Sequence, residues 1–299
     1  MDSKELLKKV RKIEIKTRAL SNQVFSGEYH SAFKGRGMAF SEVREYQQGD
    51  DIRTIDWNVT ARFNHPYVKM FHEERELNIM LLVDISASES FGTRVQLKKD
   101  LIAELCAVLA FSATTNNDKI GLILFSEKVE RYIPPKKGHH QILHIVHEVL
   151  SHRPEGKGTD IGAAVKYFSQ TSRRRSIAFI ISDFIDGPAQ RMTQGGFEDE
   201  LNIASRRHDV VGIRVFDPRE AELPDIGLVR MRDAETGQMM WVDTSNRHLR
   251  MQYAVNARRS ESKLVDVFKR CGIDHVSIGT NDNYYKILLN LFRRRGTRR

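Results

Sequence analysis

The sequence predicts an α/β protein with a doubly wound, mostly parallel sheet that has helices on both faces. From about residue 77 onward, apolar runs of strand length alternate with amphipathic helical patterns, as in folds made of βαβ units. The runs are almost entirely apolar, which is typical of parallel strands buried on both sides. With 299 residues, of which 40% are hydrophobic, the chain is long enough for one large domain and an appended segment.

Residues 1–75 differ from the rest because they are basic, polar and interrupted by glycines. Helical periodicity covers 6–20, and the glycines that follow predict irregular or short-stranded structure. We therefore divide the chain into an N-terminal segment, 1–75, and a sheet-containing domain, 76–299, with a hairpin insertion near 226–243.

The elements of the sheet domain follow from hydrophobic periodicity and turn residues. Strands are predicted at 78–83, 119–125, 176–182, 209–216 and 275–278, with a short edge strand at 129–133 that stops at two prolines. Helices are predicted at 94–115, 141–151, 161–171, 197–207, 251–270 and 284–294. The hairpin is predicted from two alternating runs around Glu235, Thr236 and Gly237. In a doubly wound sheet, ligands bind at the carboxyl ends of the strands.

Composition argues against several classes of protein. The longest apolar runs are far shorter than the roughly 20 residues that cross a bilayer, and residues 1–12 mix acidic residues with lysines instead of forming the apolar core of a secretory signal. The two cysteines, Cys106 and Cys271, predict neither a disulfide framework nor a cysteine-rich zinc site. We expect a cytoplasmic protein without a membrane span.

The formal net charge is +9, and part of the excess lies in a C-terminal group of arginines: Arg293, Arg294, Arg295, Arg298 and Arg299. We expect these residues to form a solvated, frayed terminus. Contact with nucleic acid, an anionic membrane surface or an acidic protein face is the alternative. No nucleic-acid-binding motif or aromatic stacking platform accompanies the charge, so a nucleic-acid partner is not favoured.

Oxygen-bearing side chains follow two of the predicted strands and begin one of the helices. Asp84, Ser86 and Ser88 follow the first strand at alternate positions, Thr159 stands at a helix start, and Asp183 comes directly after the strand at 176–182. Each residue taken singly is also a common helix cap or strand end. Together they form a hard donor set without nitrogen or sulfur, which suits Mg²⁺ or Mn²⁺. Because hydroxyls are neutral ligands, such an ion keeps charge with which to attract a partner's carboxylate.

The same five residues resemble the metal-ion-dependent adhesion site of von Willebrand factor A and integrin inserted domains. The resemblance implies that Ser86, Ser88 and Thr159 touch the metal directly, whereas Asp84 and Asp183 support it through water. It further implies that a glutamate or aspartate of a protein partner completes the coordination, and that residues 76–299 form a von Willebrand factor A-like domain.

Nearly the whole chain also resembles the bacterial domain-of-unknown-function family 58. The resemblance rests on Gly35-Arg36-Gly37, Glu42-Val43-Arg44, the run 46–57 that ends in Asp56-Trp57, Ala61-Arg62, Lys69 and Glu73-Glu74-Arg75. Members are often encoded beside MoxR-type AAA+ ATPases, which implies an adaptor or co-chaperone that works with such an ATPase. The charges of this run predict ion pairs that brace the segment against the sheet; a docking surface for the ATPase is the alternative.

Other signals are weaker. His140 and His144 have a spacing that can bind zinc, but the H-E-x-x-H motif is missed, because His152 follows Glu148 one residue too late. Neither a P-loop nor a nucleophile elbow is present. We expect a non-enzymatic, metal-dependent interaction module. The alternatives are a Mg²⁺-dependent phosphohydrolase with Asp84 as nucleophile, in which Ser86 replaces the usual second aspartate, and a basic nucleic-acid-binding protein.

Overall fold

The computed structural model describes residues 3–20, 24–33, 39–72, 76–86, 97–156, 158–185, 197–232 and 239–298. The chain forms two compact units, one of Met1–Phe33 with Leu77–Arg299 and the other of Lys34–Glu76. This grouping differs from the sequence-based division after residue 75, because the first two helices pack within the larger unit. The division into a basic segment and a sheet domain stays a prediction about sequence character.

The helices and strands are numbered here in chain order. The helices are α1 (Ser3–Leu20), α2 (Val24–Phe33), α3 (Trp57–Phe63), α4 (Lys98–Thr115), α5 (His139–Ser151), α6 (Ile161–Thr171), α7 (Glu198–Arg207), α8 (Pro218–Ala221), α9 (Arg247–Arg270) and α10 (Tyr284–Arg298), with a 3₁₀ turn at Ile52–Thr54. The strands are β1 (Ala39–Glu45), β2 (Tyr67–His72), β3 (Asn78–Asp84), β4 (Lys119–Phe125), β5 (Val129–Lys136), β6 (Ile177–Ser182), β7 (Asp209–Phe216), β8 (Leu228–Arg232), β9 (Met239–Asp243) and β10 (Asp274–Gly279).

The main sheet has the strand order β10-β7-β6-β3-β4-β5. Its neighbours run parallel except at β4 and β5, which pair antiparallel. This confirms the predicted doubly wound, mostly parallel sheet. The edge strand β5 runs past the predicted stop and includes Pro134 and Pro135, which an edge position tolerates because one side of its backbone needs no partner strand.

Each face of the sheet carries a separate apolar layer. Side chains alternate along β3, so Ile79, Leu81 and Val83 face one layer whereas Met80 and Leu82 face the other. The first layer is completed by residues of α1, α2, α4, α5 and α10, and the second by residues of α6, α7 and α9. The strands are buried on both sides, which explains why their sequences are continuous apolar runs.

Among the C-terminal arginines, Arg295 is buried, whereas Arg293 and Arg294 are exposed; Arg299 lies outside the described residues. Helix α10 continues to Arg298 and packs on α2, where the Phe292 ring contacts Phe25 and Phe33. Arg295 is only 5% exposed and lies over the Phe33 ring. For Arg295 the expectation of a solvated side chain is wrong, because this residue has an aromatic contact and ion pairs that a sequence pattern does not show.

The chain also forms two antiparallel sheets of two strands each. Strands β8 and β9 pair in the region of the predicted hairpin, with Leu228 opposite Asp243 and Arg232 opposite Met239; the turn at 235–237 lies outside the described residues. In the smaller unit, β1 pairs with β2, and Arg44 holds Asp50 through two hydrogen bonds of 2.8 and 2.7 Å. That ion pair is internal to its unit, so bracing of this segment against the main sheet stays a prediction.

One helix boundary differs from the predicted one because a capping side chain sets it. Helix α9 starts at Arg247, four residues before its predicted start, because the Asn246 side chain accepts hydrogen bonds from the amides of His248 and Leu249.

Across the described parts of the chain, no helix combines the length and the apolarity needed to cross a bilayer.

Candidate metal centre

The predicted site residues gather at the carboxyl edge of the sheet. Asp84 ends β3, which lies between β6 and β4, and Val83 is opposite Ile181. Asp183 therefore follows β6 beside Asp84, one strand away. Ser86 lies two residues beyond Asp84, and Ser88 is outside the described residues.

Asp84 is buried and its carboxylate is held in place from two sides. Its Oδ1 accepts a hydrogen bond of 2.8 Å from the Ser86 amide, and its Oδ2 accepts one of 2.6 Å from the Ser182 hydroxyl. Burial, and then the charge of Asp183, raise the pKa of Asp84 above its usual range. Two buried carboxylates side by side make a position that a cation stabilises.

Asp183 is the second buried carboxylate of the site, and it contacts a buried lysine. The Lys98 ammonium, at the start of α4, donates to Asp183 Oδ2 at 3.0 Å and lies 2.8 Å from Glu220 Oε1. The Lys98 side chain has no exposed surface. Lys98 thus connects the loop after β6 with α8, the short helix after β7.

The Thr159 hydroxyl is one of several buried polar groups that have no hydrogen-bond partner in the described part of the chain. Thr159 is 1% exposed, yet its Oγ1 makes no hydrogen bond within the described part of the chain. Its neighbour Asp160 fixes the position: the Asp160 amide donates to the Ser126 carbonyl at 2.8 Å, just after β4, and the Asp160 carboxylate caps α6 by accepting from the Ala163 amide. Thr159 is therefore held at the same edge of the sheet as Asp84.

Glu130 braces the loop that leads to Thr159. Its carboxylate accepts hydrogen bonds from His152 Nε2 at 2.8 Å, from the amides of Glu155 and Gly156, and from the Ser126 hydroxyl. Burial alone would raise the pKa of Glu130, but these hydrogen bonds outweigh it and hold the pKa below its usual value. The loop is thus built on a charged, fully hydrogen-bonded carboxylate.

The described site residues fit a hard divalent ion. A buried hydroxyl oxygen without a partner and two adjacent buried carboxylates are what a cation with oxygen ligands would satisfy. Among the described residues, no group of three or more histidines, cysteines, aspartates or glutamates could hold a metal. Cys106 is buried on α4.

The histidine-rich helix α5 does not assemble a zinc site among the described residues. His139 lies 3.1 Å from Glu14, His144 lies 3.6 Å from Glu148 on the next turn, and His152 contacts Glu130. These histidines are used in separate pairs with carboxylates.

Two residues of the site were missed by sequence reasoning. Ser182 ends β6 and donates to Asp84, and its place directly before Asp183 is a signal that could have found it. Lys98 opens α4 and is followed directly by Lys99 and Asp100, so its local sequence gives no signal that this lysine is buried.

Comparisons with known proteins agree with the sequence signature. The family model described as "Protein of unknown function DUF58" matches residues 42–263. The uncharacterized protein Rv1480 of Mycobacterium tuberculosis is 31% identical over 303 residues, covering 99% of this chain and 92% of that protein.

Two solved structures are similar at greater distance. An aerotolerance-related membrane protein from Bacteroides fragilis is 18% identical, with a TM-score of 0.49, over 73% of this chain and 99% of that one. A mussel byssus protein, proximal thread matrix protein 1, with a zinc-occupied MIDAS motif, is 18% identical, with a TM-score of 0.38, over 48% of this chain and 38% of that one. Both are too distant to transfer a function. The match over most of its length shows that the chain belongs to the family of the protein of unknown function DUF58.

Proposed function

We propose that this protein is a metal-dependent protein interaction module whose site holds Mg²⁺ or Mn²⁺ on Ser86, Ser88 and Thr159, with Asp84 and Asp183 acting through water. The observation that carries the proposal is the buried Thr159 hydroxyl without a partner. A buried polar group left unsatisfied costs about 1–3 kcal/mol, and a bound cation would remove that cost. The metal would supply a positive charge open to one further ligand.

The partner is a protein that contributes a carboxylate. Ser86 and Thr159 are neutral donors, and the charge of Asp183 is already engaged by Lys98. The bound ion would therefore keep much of its charge and would favour an acidic side chain from outside. The family resemblance supports a MoxR-type AAA+ ATPase, or a client of one, as this partner, and with it an adaptor or co-chaperone role in the cytoplasm without catalysis by the chain itself.

Replacement of Thr159 by valine tests the metal site directly. Thr159→Val keeps the shape of the side chain and removes a hydroxyl that bonds to no described protein group. In EDTA we expect an unfolding free energy equal to that of wild type or up to about 1 kcal/mol higher. Mn²⁺ affinity, measured from the free-ion EPR signal, should fall by more than the roughly 10–100-fold that an outer-shell change costs.

Thr17→Val is the matched control. Thr17 is also fully buried, but its hydroxyl donates to the Ile13 carbonyl at 2.7 Å. That variant should lose about 1 kcal/mol of stability and keep its Mn²⁺ affinity. Unchanged Mn²⁺ binding in Thr159→Val would refute the metal site.

The partner is tested with the purified MoxR-type ATPase encoded in the same genome. Wild type should bind it in Mg²⁺ and release it in EDTA, and Thr159→Val should not bind it in either. Binding that is equal in Mg²⁺ and EDTA would leave the metal site standing but remove its role in this interaction.

A further inference from the structure

Three groups of arginines converge at the amino edge of the sheet, opposite the metal centre. Strands β6, β7 and β10 are neighbours and begin together at this edge, where the Asp209 amide donates to the Ser176 carbonyl at 2.9 Å. The groups precede β6, end α7 and lie near the end of α10: Arg173, Arg174 and Arg175; Arg206 and Arg207; and Arg293, Arg294 and Arg295.

A cavity of about 230 Å³ opens among these groups. Its lining includes Arg175, Ser205, His208 and Arg295, together with Asp209 and Asp274. Arg295 already holds both carboxylates, with Nη2 2.5 Å from Asp209 Oδ1 and Nη1 2.8 Å from Asp274 Oδ2. One guanidinium thus holds two carboxylates, and the exposed Arg175 balances the remaining negative charge of the lining.

Two N–H groups of the lining are buried without a hydrogen-bond partner in the described part of the chain. His208 is 2% exposed, and its Nδ1 accepts from the Ser176 amide at 3.3 Å, so the proton of the neutral ring lies on Nε2, which bonds to nothing described. Arg295 is 5% exposed and its Nε is likewise unsatisfied. Both groups are donors, so a ligand that satisfies them must bring acceptor oxygens.

The surrounding charge favours an anion. Burial, and then Arg207 and Arg175, lower the pKa of His208, and the exposed Arg173, Arg174 and Arg206, which adjoin these residues in the chain, add further positive charge. The ring stays neutral near pH 7 and keeps its Nε2 proton available for donation.

We propose that this cavity binds the phosphate group of a small phosphorylated molecule. Arg175, His208 and Arg295 supply donors from three different elements, and a phosphate carries enough oxygens to accept from all of them. The donors line a single, partly open cavity instead of an extended stripe, which favours a small molecule over the backbone of a nucleic acid as the source of the phosphate.

Calorimetry in EDTA tests the proposal, because removal of metal prevents phosphate from binding at the other edge. Inorganic phosphate and phenyl phosphate should bind saturably to wild type and equally to Asp84→Ala. Arg175→Gln and Ser205→Glu, which remove a donor and add a repelling charge at partly exposed positions, should weaken binding about tenfold or more. Arg258→Gln, which removes an exposed arginine from the middle of α9, is the matched control and should bind like wild type.

A parallel titration with a single-stranded oligonucleotide that lacks terminal phosphates shows whether the phosphate comes from a small molecule or from the backbone of a nucleic acid. If the oligonucleotide binds and loses affinity in Arg175→Gln while both small phosphates fail to bind, the small-molecule assignment is wrong and the ligand is a nucleic-acid backbone. Equal binding of phosphate to Arg175→Gln, Ser205→Glu and Arg258→Gln would overturn the site altogether.

Discussion

The two edges of the sheet are built alike but leave opposite groups unsatisfied. At the carboxyl edge, buried Lys98 holds Asp183 and Glu220. At the amino edge, buried Arg295 holds Asp209 and Asp274. Each edge therefore places one buried cation between two carboxylates that come from separate elements.

The two edges differ in the unsatisfied polar groups that lie beside each buried cation and its carboxylates. The carboxyl edge has an unpartnered hydroxyl oxygen on Thr159 and a carboxylate, Asp84, whose pKa is raised by burial and by Asp183. The amino edge has unpartnered N–H groups on His208 and Arg295. The proposed cation site rests on the first set of groups, and the proposed anion site rests on the second.

Loss of the buried ammonium of Lys98 should lower the unfolding free energy more than loss of Arg295 or of the Glu130 charge. In EDTA, Lys98→Met should lower the unfolding free energy by about 3–5 kcal/mol, because two carboxylates then lose their buried counter-charge. Mg²⁺ should restore part of this loss if a cation binds near Asp183, so the difference from wild type in urea unfolding should narrow when Mg²⁺ replaces EDTA.

Two further variants separate charge from packing at this position. Lys98→Arg keeps the charge and should lose less stability than Lys98→Met. Lys166→Met alters an exposed lysine on α6 and should change the free energy by less than about 0.5 kcal/mol. A Lys98→Met deficit that is the same in Mg²⁺ and in EDTA would contradict a cation beside Asp183.

Loss of Arg295 should have a smaller effect, because its partners Asp209 and Asp274 are 15% and 34% exposed and water replaces part of the contact. We expect Arg295→Met to lower the unfolding free energy by about 2–3 kcal/mol, equally in Mg²⁺ and in EDTA. Arg270→Gln breaks the exposed pair with Glu198 and should lose less than about 1 kcal/mol. A Mg²⁺-dependent deficit in Arg295→Met would mean that the two edges are coupled.

Sequence patterns predicted the sheet well because a central strand is buried on both faces, and such burial requires apolar residues along the whole strand. Residues of β3 and β6 are buried on both faces and are apolar at nearly every position. The patterns also placed Asp84 and Asp183 at one edge, because both directly end parallel strands. Their use as metal ligands, together with Ser86, Ser88 and Thr159, stays a proposal.

The patterns failed where a residue's environment is set by distant parts of the chain. Lys98 is buried because it meets Asp183, 85 residues away. Arg295 looked like part of a solvated tail, but it contacts Asp209, 86 residues away. Charged residues at such positions carry no local signal of burial, since the same residue types in the same local pattern are exposed elsewhere.

The hydrogen bonds that Glu130 accepts have no described equivalent at the amino edge. Of the changes at Lys98, Arg295 and Glu130, loss of the Glu130 charge should lower the unfolding free energy least. Glu130→Gln keeps the shape but removes the charge that accepts from His152 and the loop amides, so at pH 7 we expect a loss of about 1–2 kcal/mol. Because the loop carries Thr159, Mn²⁺ affinity should also fall about tenfold. Glu155→Gln, which alters the exposed pair with Lys128, is the control for both measurements.

The pH dependence shows whether the charge of Glu130 is the cause. Its folded pKa lies below the ordinary value of 4.5, so its stabilising contribution is fully present above 4.5 and is lost as the pH falls through the folded value. The difference in unfolding free energy between wild type and Glu130→Gln should therefore be largest at pH 7 and shrink toward pH 3. A difference that stays constant over this range would assign the effect to side-chain geometry, and the loop under Thr159 would then depend on shape alone.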